Sequence, residues 1–141
     1  MKFTLGEQCK AVQSVKAQSS AAGTVEGDGV DCKGYDQALV ILDCGTVGVN
    51  TTLDVKIQES GDDGDADAYA DVTGAAFTQV DPDNDDAVYI GRLRTGSRER
   101  YLRAYGTIAG DNAALFSVPI VLAEAKYPPQ SDQALAFNIT E

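Results

Sequence analysis

All five arginines of the chain, Arg92, Arg94, Arg98, Arg100 and Arg103, fall within twelve residues. Tyr101 and Tyr105 stand two places either side of Arg103. A guanidinium between two phenol rings can stack on them and still give a bidentate pair of hydrogen bonds to a carboxylate. By the two-residue period of a strand, Arg92 and Arg94 share one face, Arg98 and Arg100 share another, and Arg103 takes the side opposite that pair. The lysines all lie elsewhere in the chain. That bias fits a contact surface, where Arg is enriched and Lys depleted. It also fits a charged strand edge that resists unwanted pairing.

The stretch before this cluster is its opposite in charge. Positions 59–86 hold ten acidic residues and no Lys or Arg. Asp63, Asp65 and Asp67 alternate like the first ligands of an EF-hand loop, but the sixth and twelfth positions are Ala68 and Gly74, where Gly and Glu are needed. Asp81, Asp83 and Asp85 alternate too, with Asp86 and Arg92 at those positions. Oxygen ligands are still numerous enough to hold calcium between the loops of a β-sandwich. The other reading is a solvated acidic face. Asp63, Asp65 and Asp67 are therefore the metal candidates, and no other cofactor is implied. The acidic stretch carries −10 and the following segment, with five Arg against Glu99, carries +4. Such neighbours can pair between copies, giving a homo-oligomer, or within one chain.

Most catalytic classes lack their residues. The chain has no His, which removes the commonest general base, the commonest zinc ligand and any Ser-His-Asp triad. GxSxG, P-loop and GxGxxG patterns are absent. With 22 acidic residues, two carboxylates in proximity are expected by chance and do not indicate glycosidase chemistry. The expectation is a protein that is not an enzyme. A net charge of −11 argues against a nucleic-acid partner, because phosphates need neutralising Lys and Arg. No apolar run is long enough for a membrane helix, and the first residues carry no apolar signal core. Cys9, Cys32 and Cys44 are odd in number, lack CxxC spacing and read as reduced thiols, with a Cys32–Cys44 disulfide the lesser alternative.

The elements that carry these residues read as β. The 141 residues fit one domain. Val, Ile, Leu and Phe number 32, enough for a core. Positions 1–29 are small and polar and read as an extended N-terminal arm, with one strand at Cys9–Lys16. Gln37–Cys44 is a nearly continuous apolar run that suits a strand buried on both faces. Thr52–Glu59 alternates, with Leu53, Val55 and Ile57 inward and Asp54, Lys56 and Gln58 outward. Ala76–Val80 is a short strand in the acidic excursion. Ala87–Arg94 and Arg98–Ile108 read as a hairpin around Thr95-Gly96-Ser97. Ala113–Ala123 is a strand in which Pro119 implies an edge or a bulge. The domain is set at 30–129, and 130–141 form a C-terminal arm or a final strand at Ala134–Thr140. The fold expected is all-β: a jelly-roll-like antiparallel β-sandwich of about seven or eight strands with extended terminal arms.

Three stretches carry a resemblance. Val30-Asp31-Cys32-Lys33-Gly34-Tyr35-Asp36 leads into the apolar strand, Lys56-Ile57-Gln58-Glu59-Ser60 precedes the acidic loop, and Arg100-Tyr101-Leu102-Arg103-Ala104 follows. In that order and spacing the chain resembles the head decoration (cement) proteins of tailed bacteriophages, over roughly residues 28–130. The resemblance implies a β-sandwich that sits on the outside of the capsid, bridges subunits of the major capsid protein and forms dimers or trimers. It implies a virion location after assembly in the host bacterial cytoplasm, and it brings no catalytic residues. The charge agrees, because a surface of −11 inside the shell would repel the genome. Arg92, Arg94, Arg98, Arg100 and Arg103, with Tyr101 and Tyr105, are the expected partner contacts. The alternative is a calcium- or carbohydrate-binding β-sandwich module, although six scattered Tyr and no Trp make a poor sugar platform.

Overall fold

The computed structural model describes residues 5–126. After a short helix α1 (Leu5–Gln8), nine strands follow: β1 (Lys10–Ser20), β2 (Gly23–Glu26), β3 (Val30–Asp31), β4 (Tyr35–Val47), β5 (Thr51–Ser60), β6 (Ala70–Ala76), β7 (Ala87–Arg94), β8 (Tyr101–Gly110) and β9 (Ala114–Ala125). Two antiparallel sheets face each other. The first has the order β1-β9-β4-β7 and the second β2-β8-β5-β6, with the two-residue β3 also on β8. Apart from β5 and β6, which pair directly, successive principal strands alternate between the sheets. This is the double Greek key of a jelly roll, with eight principal strands and one short addition.

Alternation explains the core. Val40, Leu42, Leu53, Val55, Ile57, Leu102, Ile108, Phe116, Val118 and Ile120 all point between the sheets and are buried. Leu53, Val55 and Ile57 are inward as their spacing predicts. Asp54 and Lys56 face outward, and so does Gln58, which is nonetheless buried. Pro119 lies in β9, between β1 and β4, so it is not on an edge. It stands opposite Gln13, beside the bulge between Gln13 and Val15. The bulge reading of that proline holds, because the disturbed ladder there tolerates a residue without an N–H.

Three features differ from the sequence reading. Much of the expected N-terminal arm is part of the sandwich: β1 pairs with β9, β2 pairs with β8, and Val15 is in the core. Its small polar residues are tolerated because β1 exposes most of its side chains beyond Val15. The expected hairpin does not form either. β7 belongs to the first sheet and β8 to the second. Thr95–Ser97 form a 3-10 turn, anchored where the Thr95 hydroxyl donates to the Tyr35 carbonyl at 2.5 Å. β8 begins only at Tyr101, so six residues carry the chain across the roughly 10 Å between sheets. The strand expected at Ala76–Val80 starts earlier. Past Ala76 the chain still follows β5, through Phe77 N–H to the Val55 carbonyl (2.9 Å) and a bridge between Leu53 and Val80. Residues 130–141 lie outside the described residues.

The two lateral seams of the sandwich differ. At the β1/β2 seam, the Ser14 hydroxyl donates to the Asp28 carbonyl (2.9 Å) and accepts from the Ala104 N–H (2.8 Å). Gly27 N–H donates to the Ala104 carbonyl (2.8 Å), and Asp28 N–H donates to that of Ser14 (2.7 Å). These bonds stitch the sheets together. A Cβ on Gly27 would stand 2.7 Å from the Ala104 carbonyl oxygen, so only glycine fits. At the other seam, the edge strands β6 and β7 flank a groove of about 210 Å³ lined by Val40, Ile57, Ala75, Phe77, Gly91 and Leu93.

Candidate functional site: two unlike sheet faces

The outer face of the second sheet is polar, and most of its charges are paired within the chain. Arg103 is central and well covered, with 16% of its side chain exposed. Its Nε donates to Gln58 Oε1 at 2.9 Å, and its guanidinium lies 4.2 Å from the Tyr69 ring centre and 5.9 Å from that of Tyr105. Glu26 approaches at 3.5 Å. The guanidinium thus covers Gln58, which accounts for that side chain's burial. Arg100 forms a two-pronged pair with Asp31, at 2.9 and 2.8 Å, and lies 5.2 Å from the Tyr101 ring centre. The same bond holds the Asp31 carboxyl below its usual range. Arg98 is 3.5 Å from Glu59. Lys56 donates to Asp71 at 2.6 Å and lies over Tyr105; that ion pair lowers the Asp71 carboxyl.

The expected Arg cluster is therefore divided by the fold. Arg98, Arg100 and Arg103 find acidic partners in the same chain. Arg92 and Arg94 stand on β7 in the other sheet, exposed, with no ion pair among the described residues. The missed signal was the reach of the Arg98–Arg100 segment to β3 and β5, which depends on tertiary pairing.

The acidic loop after β5 is bonded to itself. Asp62 accepts from the N–H groups of Ala66 (2.8 Å) and Asp67 (3.1 Å), which lowers its carboxyl. Asp67 accepts from Gly61 N–H at 2.7 Å. Asp63 accepts from the Tyr69 hydroxyl at 2.6 Å, and burial together with that bond pushes the phenol up. Asp65 is exposed. Among the described residues no three acidic or Cys side chains converge to hold a metal ion. The cysteines are free thiols, with Cys32 and Cys44 buried.

The outer face of the first sheet is the opposite in character. Ile41 stands beside Ile90, and Leu39 stands between Arg92 and Val121. Pro119 and Ala123 continue the apolar area along β9. Ile90 and Val88 are 62% and 60% exposed and Leu115 46%, while Leu39, Ile41, Pro119 and Val121 are half-buried. Asp43 at one end and Arg92 and Arg94 at the other give this face a charged border. The near-continuous apolar run of β4 has its cause here. Ala38, Val40, Leu42 and Cys44 fill the core, and Leu39 and Ile41 make the outer face apolar as well. The strand is buried on one side only. A contiguous apolar surface bordered by polar residues marks an interaction site rather than a solvent face.

No protein-family model matches the chain, and no curated protein matches it. Among solved structures, a chain in the structure of infectious bursal disease virus Gx strain is similar, with 14% sequence identity and a TM-score of 0.39. The match covers 86% of this chain and 33% of that one, so this chain spans about a third of the viral chain's length.

Proposed function

We propose that the protein is a structural, non-enzymatic virion component that lies on the outside of a tailed-phage capsid. There it bridges neighbouring subunits of the major capsid protein, and it works as a dimer or trimer. One observation carries the reading: the first sheet presents an apolar outer face, while most charges of the second sheet are already paired. A rigid jelly roll with one sticky face suits a clamp whose many weak contacts add up over a lattice. The sequence resemblance to cement proteins points the same way, as does the acidic surface, which belongs away from packaged DNA. The contact set is Leu39, Ile41, Ile90 and Val121, with Arg92 and Arg94 at its border. Arg98, Arg100 and Arg103 hold the fold instead.

Co-sedimentation with capsids lacking the protein tests this. Ile41→Lys and Val121→Lys should each reduce binding at least tenfold while leaving the melting temperature within a few degrees. Capsid binding equal to the unaltered protein would overturn the reading. The runner-up, a calcium- or carbohydrate-binding module, predicts instead that millimolar calcium or a sugar raises the melting temperature.

A further inference from the structure

We infer that two copies of this chain pair edge to edge through β7, antiparallel about a two-fold axis at Ile90, so that their two first sheets become one sheet of eight strands. The inference rests on the dimer of the proposed function, to which it gives an interface, and on no part of the capsid placement.

The sheet edges are not alike. β1 is irregular twice in its pairing with β9, between Gln13 and Val15 and between Val15 and Gln18, and it carries Lys10 and Lys16. β2 is four residues long. β6 shifts register against β5 and contains Gly74 at a φ of +80°. Bulges, lysines and short length all blunt an edge against pairing. β7 has none of these devices. Its eight residues hold an unbroken register to β4, from Arg94 opposite Gln37 to Ala87 opposite Cys44. Among the described residues no strand covers its other side. Such an edge is a template for strand addition.

The sequence of β7 fits a second β7 in one register. Asp86 N–H donates to the Gly45 carbonyl (3.1 Å), so the ladder with β4 reaches one residue before the strand. With Ile90 opposite Ile90 of the second copy, Val88 stands opposite Arg92, and Asp86 stands opposite Arg94. Asp86 and Arg94 are both exposed and have no ion pair among the described residues. The pairing gives each an opposite charge across the strands, twice per dimer. On the inward side Tyr89 stands opposite Gly91, again twice. An aromatic residue facing a glycine in an edge strand covers the gap that the glycine leaves. Moving the register by two residues in either direction loses both Tyr89–Gly91 pairs. The outer faces also join. Ile41 stands beside Ile90 in each copy, so an apolar row runs Ile41, Ile90, Ile90, Ile41 across the axis. The backbone edges make the contact, and the joined apolar face stays open.

The test is light scattering coupled to size exclusion on the full chain, over a dilution series at neutral pH and about 0.15 M salt. The unaltered protein should show twice the 14.8 kDa of one chain. Arg94→Asp alone and Asp86→Arg alone should each weaken the dimer at least tenfold, because like charges then face each other. Mixing the two variants should restore it, because the mixed dimer regains both opposite-charge contacts. Unchanged amide exchange on β4 confirms that the variants are folded. As a second measurement, Ile90→Cys in a Cys9→Ser background should oxidise to a covalent dimer across the axis, since opposed Cα atoms in a sheet lie within disulfide reach. Leu115→Cys, exposed on β9, should not. A monomer at every concentration, a trimer, a mixture that stays dissociated, or no crosslink at position 90 overturns the inference. Capsid co-sedimentation is read separately. A monomer that still binds capsids defeats this inference alone, and a dimer that does not bind them defeats the capsid placement alone.

Discussion

Single side chains decide whether the two layers stay in register. Ser14 is buried, and its hydroxyl serves β8 and the Gly27–Asp28 turn at once. Ser14→Ala would strand the buried Ala104 N–H, so a loss of about 1–3 kcal/mol is expected in urea unfolding. Ser14→Thr should cost less if its hydroxyl keeps the bond. A loss below about 0.5 kcal/mol for the alanine variant would show that water replaces the hydroxyl. Cys32 sets a different dependence. Burial, followed by the nearby Asp31 charge, pushes its thiol from 9.0 up to about 12. Burial pushes Cys44 up to about 11. A pKa raised by folding gives stability that is present below pH 9 and is lost as pH rises through the folded value. The slope in that window is up to about 1.4 kcal/mol per pH unit for each thiol. Cys32→Ala with Cys44→Ala should therefore flatten the fall in melting temperature between pH 9 and 11. An unchanged slope would assign that fall to other groups.

At the scale of elements, what the sequence disclosed depended on how local the signal was. β5 was legible from alternation alone, and the middle of β4 from its apolar run, although the strand extends beyond that run at both ends, over Tyr35–Val47. Pro119 pointed to a bulge because a missing N–H acts locally. The β7–β8 connection was not legible. A three-residue turn between strands looks the same whether the chain folds back in one sheet or crosses to the other, and the difference lies in partners distant in sequence, β4 for β7 and β5 for β8. The division of the arginine cluster was hidden for the same reason. Neighbours in sequence were dealt to two sheets, and the acidic partners of Arg98, Arg100 and Arg103 come from β5, β3 and β2. The apolar outer face was visible only in outline, as a run richer in Leu and Ile than one buried face needs. Which side of β4 would be left open depended on the topology.

For the molecule as a whole, net charge and the apolar face act against each other. At pH 7 the charge of −11 opposes contact between the Ile41–Ile90 faces of two copies. The isoelectric point lies near 4.2. As pH falls toward it the repulsion fades, but the drive to bury apolar surface does not. Light scattering at low ionic strength should therefore show the mean mass rising as pH approaches 4.2. Ile41→Lys should suppress that rise. Thr107→Lys, which adds the same charge to the outer face of the second sheet, separates the two causes. If it suppresses association equally, charge alone governs and the apolar face has no special part. If it leaves association intact, the first sheet is the adhesive surface, and its attraction is held in check at neutral pH by the acidic excess around it.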